Sequence, residues 1–280
     1  LKKLFGVIGN PIGHSLSPQM HNDLFSHYGI DAYYHPFLVE KDKLEDAVSG
    51  LKALRAAGFN VTIPFKTDIM PLLDWIDPLA KEIGAVNTVI NVDGRLAGYN
   101  TDGPGFLKSM EEGFPPPISD PAILIIGAGG AARAIFLTLE KTTPAAIDVC
   151  NRSLSKAELL VAESRSGVPA RAISTEEAGD RINEYDIIIQ TTSVGMYPET
   201  GKIPISLDRL EKQVYAADII YNPSETEFLK LARQRGAKTL NGLGMFIHQG
   251  ALAFELWTGV NPDTGRMKDT VLNQLGGTTC

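Results

Sequence analysis

Ala122-Ile123-Leu124-Ile125-Ile126-Gly127-Ala128-Gly129-Gly130-Ala131-Ala132 is the stretch that decides the fold. Five apolar residues read as a buried strand, and the glycine-rich turn after them opens the alanine-rich run Ala131-Ala132-Arg133-Ala134-Ile135. Strand, G-x-G-x-x-A turn and helix together make the first unit of a dinucleotide site. There the backbone approaches a pyrophosphate and the positive helix N-terminus meets its charge. Gly127 permits the tight turn and Gly129 leaves room for the phosphates. Ala132 stands where a third glycine would allow close helix–strand packing. Residues 1–121 precede this unit and carry polar signatures of their own. The chain therefore reads as a substrate half followed by a cofactor half.

The bulk composition fits that division. At 280 residues the chain is long for one core and suits two domains. Hydrophobic residues make up 44% and charged residues 21%, as in ordinary globular proteins. A net charge of −7 argues against nucleic acid or an anionic membrane as the main partner. Local lysines can still hold an anionic substrate. No apolar run approaches the ~20 residues of a membrane span. Leu1-Lys2-Lys3-Leu4-Phe5-Gly6 is strand-like and lacks the apolar core and cleavage site of a signal peptide. No initiator Met stands before it, which fits trimming of one or more leading residues. Cys150 and Cys280 are the only cysteines and lie in different regions, so no disulfide framework is expected and a reducing cytoplasm is the expected compartment. His14, His21, His27, His35 and His248 never combine with Cys or acids at ligand spacing, so no metal is expected.

Along the first half, strand and helix signals alternate. Strands are expected over 4–9, 32–38 and 59–63, with helices from Ser17, as N-cap before Pro18, to about Tyr28, and over 43–57 up to Gly58. Residues 86–92 and 96–100 flank Asp93-Gly94, a two-residue hairpin signal. A short helix near 105–111 precedes Pro115-Pro116-Pro117, read as the clearest boundary. The second half adds strands at 122–126, 146–150, 186–190 and 214–220. Helices are expected to about Lys141, over 154–164 and over 226–235. An amphipathic helix over 242–257 and a further one in the tail are expected to return to the first domain. The expected architecture is α/β, with a mostly parallel sheet in an N-terminal substrate domain (1–103, with 242–280 packed back on it) and a Rossmann-type domain over 104–241.

Which dinucleotide binds depends on the end of the second Rossmann strand. An acid there would hold the ribose hydroxyls of NAD, and a basic residue the 2′-phosphate of NADP. Cys150-Asn151-Arg152-Ser153 ends that strand, and Lys156 lies one helical turn on. Arg152 can place its guanidinium on a phosphate and Lys156 adds charge. Asp148 is the counter-signal, but its place before Val149-Cys150 reads as a strand-face residue. NADP is the expected cofactor.

In the first half, Ser15 and Ser17 can present two hydroxyls to a carboxylate beside a helix start, or simply form a turn and a cap. Thr62 and Lys66 fall at a strand's C-terminal end, where open α/β sheets gather ligands. Asp102, in Asn100-Thr101-Asp102-Gly103, could cap the next helix, or pair with Lys66 as a proton-transfer couple for a reacting hydroxyl.

Taken together, these motifs closely resemble the shikimate dehydrogenase family. Gly13-His14-Ser15-Leu16-Ser17-Pro18 with Met20-His21-Asn22, Asn60 to Lys66, Gly84-Ala85-Val86-Asn87-Thr88, and Asn100-Thr101-Asp102-Gly103 with Gly105-Phe106 carry the likeness. Gly127 to Ala131, Asn151-Arg152-Ser153 and Asn241-Gly242-Leu243-Gly244-Met245 continue it over nearly the whole chain. The resemblance implies reversible NADPH-dependent reduction of 3-dehydroshikimate to shikimate, on the route to chorismate and the aromatic amino acids. It implies that Ser15 and Ser17 bind the substrate carboxylate, with Tyr221 nearby. Thr62, Asn87, Asp102 and Gln249 would hold the ring hydroxyls, with Lys66 as acid/base beside Asp102. Gly127, Ala128, Gly129, Gly130 and Ala131 would cradle the pyrophosphate, with Asn151, Arg152, Ser153 and Lys156 around the adenosine phosphate. Ile219, where some members carry Met, and Gly242 would lie near the nicotinamide. The partner implied is a small molecule, and a homodimer is the assembly to test. Alternatives are a quinate/shikimate dehydrogenase using NAD or NADP and, in another class, a non-catalytic metabolite sensor.

Overall fold

The computed structural model describes residues 2–114 and 119–276. Pro115-Pro116-Pro117 and Cys280 lie outside the described residues. The chain forms two compact units, one from the residues up to Asp102 and from Ile247 onward, the other from Gly103 to Phe246.

The first unit is built on β1 (Lys3–Gly9), α1 (Ser17–His27), β2 (Ala32–Leu38), α2 (Leu44–Ala53), β3 (Gly58–Val61), β4 (Trp75–Ile76), α3 (Pro78–Ile83), β5 (Thr88–Val92) and β6 (Arg95–Tyr99). Its sheet runs β2-β1-β3-β5-β6-β4. Strand β1 pairs parallel with β2 and β3, while β3–β5 and β5–β6 are antiparallel. The hairpin turns where Asp93 and Gly94 both take positive φ, the geometry a two-residue turn with right-handed strand twist requires. Alternation along β1 feeds two cores. Ile8 joins Val48 and Leu51 of α2 with Phe59 and Val61, whereas Phe5 stacks on Phe25 of α1.

Two C-terminal helices complete this unit, α9 (Leu243–Thr258) and α10 (Thr264–Gly276). From α9, Trp257 donates its indole N–H to the Val89 carbonyl at 2.9 Å. It passes directly over Gly58, where a Cβ would lie 2.3 Å from the indole nitrogen. From α10, Arg266 forks onto Asp23 of α1 at 2.6 and 2.7 Å and holds that carboxyl below its usual range.

Three expectations need correction here. Leu16, not Ser17, holds the N-cap position of α1, and Ser17 is already helical. Helix α2 is shorter than 43–57: the chain leaves it through Arg55 at φ +55, and Gly58 begins β3. Residues 86 and 87 precede the strand β5 itself.

The second unit holds α4 (Asp102–Gly113, from Gly103 on), β7 (Ala122–Ile126), α5 (Gly130–Leu139), β8 (Ala146–Cys150), α6 (Leu154–Val161), β9 (Ala170–Ile173), α7 (Thr175–Asp180), β10 (Ile187–Gln190), β11 (Tyr215–Asp218), α8 (Glu227–Gln234) and β12 (Lys238–Leu240). The sheet is parallel throughout and runs β12-β11-β10-β7-β8-β9. Numbered from β7, that order is the doubly wound dinucleotide-binding topology, reversing between β7 and β10. Strands β9 and β12 escape the sequence pattern because both lie at sheet edges, short and largely solvated. Helix α5 runs on through a 3-10 turn over Glu140–Thr142, as an end near Lys141 requires, whereas α6 stops short of 164, and Thr226 caps α8 from outside, accepting the Leu229 N–H.

Both unit breaks fall inside helices, within α4 and within α9. A reading that seeks boundaries at helix ends therefore places them at 103/104 and 241/242.

Candidate active site

The polar centre of the first unit gathers where β3 and β5 meet the start of α4. Phe65 is fully buried and anchors the turn after β3, and the Lys66 carbonyl accepts the Val86 N–H at 2.7 Å. With its backbone held, Lys66 puts its ammonium 2.6 Å from Asp102 Oδ2. Asp102 is the first residue of α4, its N–H donated to Asn100 Oδ1 at 3.0 Å, so Asn100 does the capping and Asp102 keeps its carboxylate for Lys66. The other carboxylate oxygen accepts from Asn87 Nδ2 at 2.8 Å. Lys66, Asn87 and Asp102 are thus brought together in one hydrogen-bonded cluster.

The serines sit at the head of α1. Ser15 Oγ accepts the Ser17 N–H at 3.4 Å, and Ser17 is buried. Thr62 packs its methyl on Gly9, where a Cβ would stand 2.4 Å from Thr62 Cγ2. Gln249 lies on α9 and belongs to this unit. Tyr221 belongs to the second unit, where its ring lies 5.0 Å from Phe246. Burial pushes its phenol up, which keeps it a neutral donor.

The second unit supplies a phosphate cradle. Gly127 takes φ +117, and its N–H bonds the Cys150 carbonyl at 2.7 Å, tying the turn to the end of β8. A Cβ there would stand 2.5 Å from Thr191 Oγ1, so strain and space both demand glycine. At Gly129 and Gly130 a Cβ would meet nothing within 4 Å: this is open space, not packing. Arg133 N–H is the first to close onto the Gly129 carbonyl, so the N–H groups of Gly130, Ala131 and Ala132 carry the helix's positive end. Arg152, Ser153 and Lys156 are exposed after β8, and among the described residues neither Arg152 nor Lys156 is held by an acid. Asn151 Nδ2 donates to the Ser153 carbonyl at 2.9 Å and shapes that turn. Asp148 is buried under Arg171, at 3.0 and 2.8 Å, and Tyr185, at 2.7 Å, a strand-face residue taken up in structure. These residues fit a dinucleotide with a phosphate on its adenosine ribose.

Beyond β11 the chain is held by Asp218, which accepts the Ile220 N–H at 2.9 Å and the Thr226 hydroxyl at 2.7 Å; burial raises its carboxyl to about 6. Ile219 follows, and Gly242 lies against it so closely that a Cβ would overlap the Ile219 carbonyl.

Sequence reasoning missed how much else the cluster around Asn87 uses. Thr101 gives its N–H to Asn87 Oδ1 at 2.8 Å and its hydroxyl accepts from Asn87 Nδ2 at 2.9 Å. Its neighbourhood to Asp102 was the available signal. Among the described residues no three His, Cys, Asp or Glu side chains gather as metal ligands, and no helix is long and apolar enough to cross a membrane.

Comparison with known proteins matches this geometry to one family. Residues 7–89 match the shikimate dehydrogenase substrate binding domain, 110–219 match shikimate / quinate 5-dehydrogenase, and 242–272 match the shikimate 5'-dehydrogenase C-terminal domain. The shikimate dehydrogenase (NADP(+)) of Bacillus subtilis (strain 168) is 51% identical over 280 residues, covering 100% of both chains. The chain belongs to the shikimate dehydrogenase family. Among solved structures, a shikimate dehydrogenase in complex with NADP+ superimposes with TM-score 0.90 at 42% identity, covering 98% of this chain and 96% of that one. Shikimate 5-dehydrogenase from Listeria monocytogenes, in complex with shikimate and NAD, gives TM-score 0.90 at 38% identity, with 96% of each chain covered. The two-domain α/β architecture with a Rossmann-type second domain is common to them.

Proposed function

We propose that the protein is an NADP-dependent oxidoreductase that interconverts 3-dehydroshikimate and shikimate. The observation that carries the reading is the Lys66–Asp102 pair at 2.6 Å, with Asn87 on the second carboxylate oxygen. NADPH, when bound, supplies the hydride for the ring carbonyl. As negative charge builds on the carbonyl oxygen, Lys66 gives it a proton, and in the reverse direction the neutral amine takes the hydroxyl proton back. Asp102 holds the ammonium in place and offers an acceptor to the ring hydroxyl. Ser15 and Ser17 hold the carboxylate. Thr62, Asn87 and Gln249 meet the ring hydroxyls. Such a set discriminates, because a substrate lacking a hydroxyl leaves a buried partner unpaired.

Gly127 to Ala131 cradle the pyrophosphate, and Asn151, Arg152, Ser153 and Lys156 take the 2′-phosphate. The unpaired state of Arg152 and Lys156 favours NADPH over NADH. Ile219 and Gly242 border the nicotinamide. The protein works on this small molecule in the reducing cytoplasm, on the route to chorismate, with a homodimer as the assembly to test by sedimentation. Replacing Lys66 tests the chemistry: Lys66→Ala lowers turnover roughly 10²-fold or more, the scale of general acid–base catalysis. Near-normal turnover in a folded variant removes Lys66 from proton transfer.

A further inference from the structure

A chain of buried hydrogen bonds runs from Tyr34 to the Lys66–Asp102 pair, and main-chain groups fix the direction of both amides in it. Asn87 sets the first direction. The Thr101 main-chain N–H can only donate, and it points at Asn87 Oδ1 at 2.8 Å, so Nδ2 faces Asp102 Oδ1 at 2.8 Å. Asn60 sets the second. Its Nδ2 lies 3.1 Å from the Asn87 carbonyl, a pure acceptor, so its Oδ1 must accept, and it does so from the Tyr34 hydroxyl at 2.7 Å. The same Asn60 Nδ2 donates to Thr88 Oγ1 at 3.0 Å; the Thr88 hydroxyl has Asn87 Oδ1 at 3.0 Å as its shorter acceptor, with the Thr101 hydroxyl beside it at 3.3 Å. Along this shortest path the donors point one way, from Tyr34 through Asn60, Thr88 and Asn87 onto the Asp102 carboxylate.

Each member is buried: Tyr34 and Thr88 are fully enclosed, Asn87 is 3% and Asn60 7% exposed. Aligned bonds in so dry a place polarise one another, and a break anywhere costs the desolvation of the group left unpaired. Tyr34 is itself clamped by the stacked ring of His21 at 4.7 Å and by Asn22, which brackets its main chain with two bonds, at 2.8 and 2.9 Å.

We propose that Thr88, with Asn60 and Tyr34 behind it, is a positioning residue for the reaction: its hydroxyl joins the Thr101 main-chain N–H on Asn87 Oδ1, and the two donors together lock the Asn87 amide so that its N–H, and not its oxygen, meets Asp102. The inference rests on the proposed role of Lys66 and Asp102. An Asn87 turned over would set oxygen against carboxylate, pushing Asp102 away from Lys66. Thr88 is the link to test, because valine has its shape without the hydroxyl and serine has the hydroxyl without the methyl.

The expected result is a fall in kcat of about tenfold or more for Thr88→Val, on the scale that a misplaced catalytic group costs, with the KM for NADPH unchanged. Thr88→Ser restores most of it. Tyr34→Phe, one bond further off, loses less than Thr88→Val. Full kcat in Thr88→Val, or equal losses in the Val and Ser variants, overturns the proposal, since packing alone would then explain Thr88. A readout without turnover keeps this separate from the dehydrogenase reading. In ligand-free protein, hydrogen exchange of the Asn87 side-chain amide, followed by NMR, is slow in wild type and Thr88→Ser and at least about tenfold faster in Thr88→Val. Equal exchange in all three defeats the lock whatever the enzyme reduces, whereas slow exchange without shikimate turnover faults only the assigned reaction.

Discussion

His21 makes the stability of the first unit depend on pH in a way that can be worked out in advance. It sits on α1 with no exposed surface, stacked on Tyr34 and 5.3 Å from Trp257, and among the described residues neither ring nitrogen has a hydrogen-bond partner. Burial lowers its pKa to about 3, against the ordinary 6.5 it recovers on unfolding. Below pH 6.5 the unfolded chain therefore takes up a proton that the folded unit refuses. Stability falls with pH through that window, down to about pH 3. Each pH unit costs about 1.4 kcal/mol, so roughly 2 kcal/mol is lost by pH 5 and on the order of 5 kcal/mol across the window. Asp218, raised to about 6, works with the opposite sign: its contribution improves as pH falls from 6 toward the unfolded value near 3.8. The two groups lie in different units, and both tryptophans, Trp75 and Trp257, lie in the first. Denaturant unfolding followed by tryptophan fluorescence thus reads the unit that holds His21. Comparing wild type with His21→Leu cancels every other titrating group. The difference in unfolding free energy should shift in the variant's favour by about 2 kcal/mol between pH 6.5 and pH 5. Parallel curves over that range would refute the reasoning, and His21 would then have a partner or a route to water.

Other consequences can be checked at the cofactor cradle. Arg152→Ala should raise the KM for NADPH by about tenfold or more, the worth of a charge-assisted hydrogen bond, and leave that for NADH nearly unchanged; equal effects would remove Arg152 from phosphate recognition. Gly242→Ala should lower stability by about 1–3 kcal/mol in thermal unfolding and raise the KM for NADPH, because its Cβ would overlap the Ile219 carbonyl; an unaltered melting temperature and KM would show that the segment yields freely. Gly127→Ala should be worse than Gly129→Ala for folding, since only Gly127 combines positive φ with a close neighbour, Thr191. For nucleotide affinity, measured by titration, the order should reverse if the open side of Gly129 is where phosphates lie.

Much of this was legible in the residues themselves. The strands Ala32–Leu38, Ala122–Ile126 and Ala146–Cys150 agree with the sequence pattern to the residue: Ala122–Ile126 is an unbroken apolar run stopped by Gly127, Ala146–Cys150 an apolar run broken only by Asp148 and stopped by Asn151, and Ala32–Leu38 sets buried Ala32 and Tyr34 between exposed neighbours. Strand β9, Ala170–Ile173, was not legible: an edge strand with Arg171 on it buries too little to show alternation. The end of α2 was misread at Gly58, which serves the passage of Trp257 and not the helix terminus, a contact nearly two hundred residues distant in the chain. In the site, the proximity of Lys66 and Asp102 could be hoped for from two strand ends, but not the bond itself. Asn60 and Thr88 fell inside motifs that carry the resemblance, but neither they nor Tyr34 showed a role of their own, since a buried amide or hydroxyl on a strand reads as ordinary packing until its donors and acceptors are counted.

The most direct measurement of the central claim is absorbance of reduced nicotinamide when purified protein meets shikimate and NADP+, with NAD+ and quinate run in parallel. The account predicts fast formation of NADPH with shikimate and much slower turnover in the other three pairings. A folded protein inactive with all four pairs, or one that prefers quinate or NAD+, would contradict it.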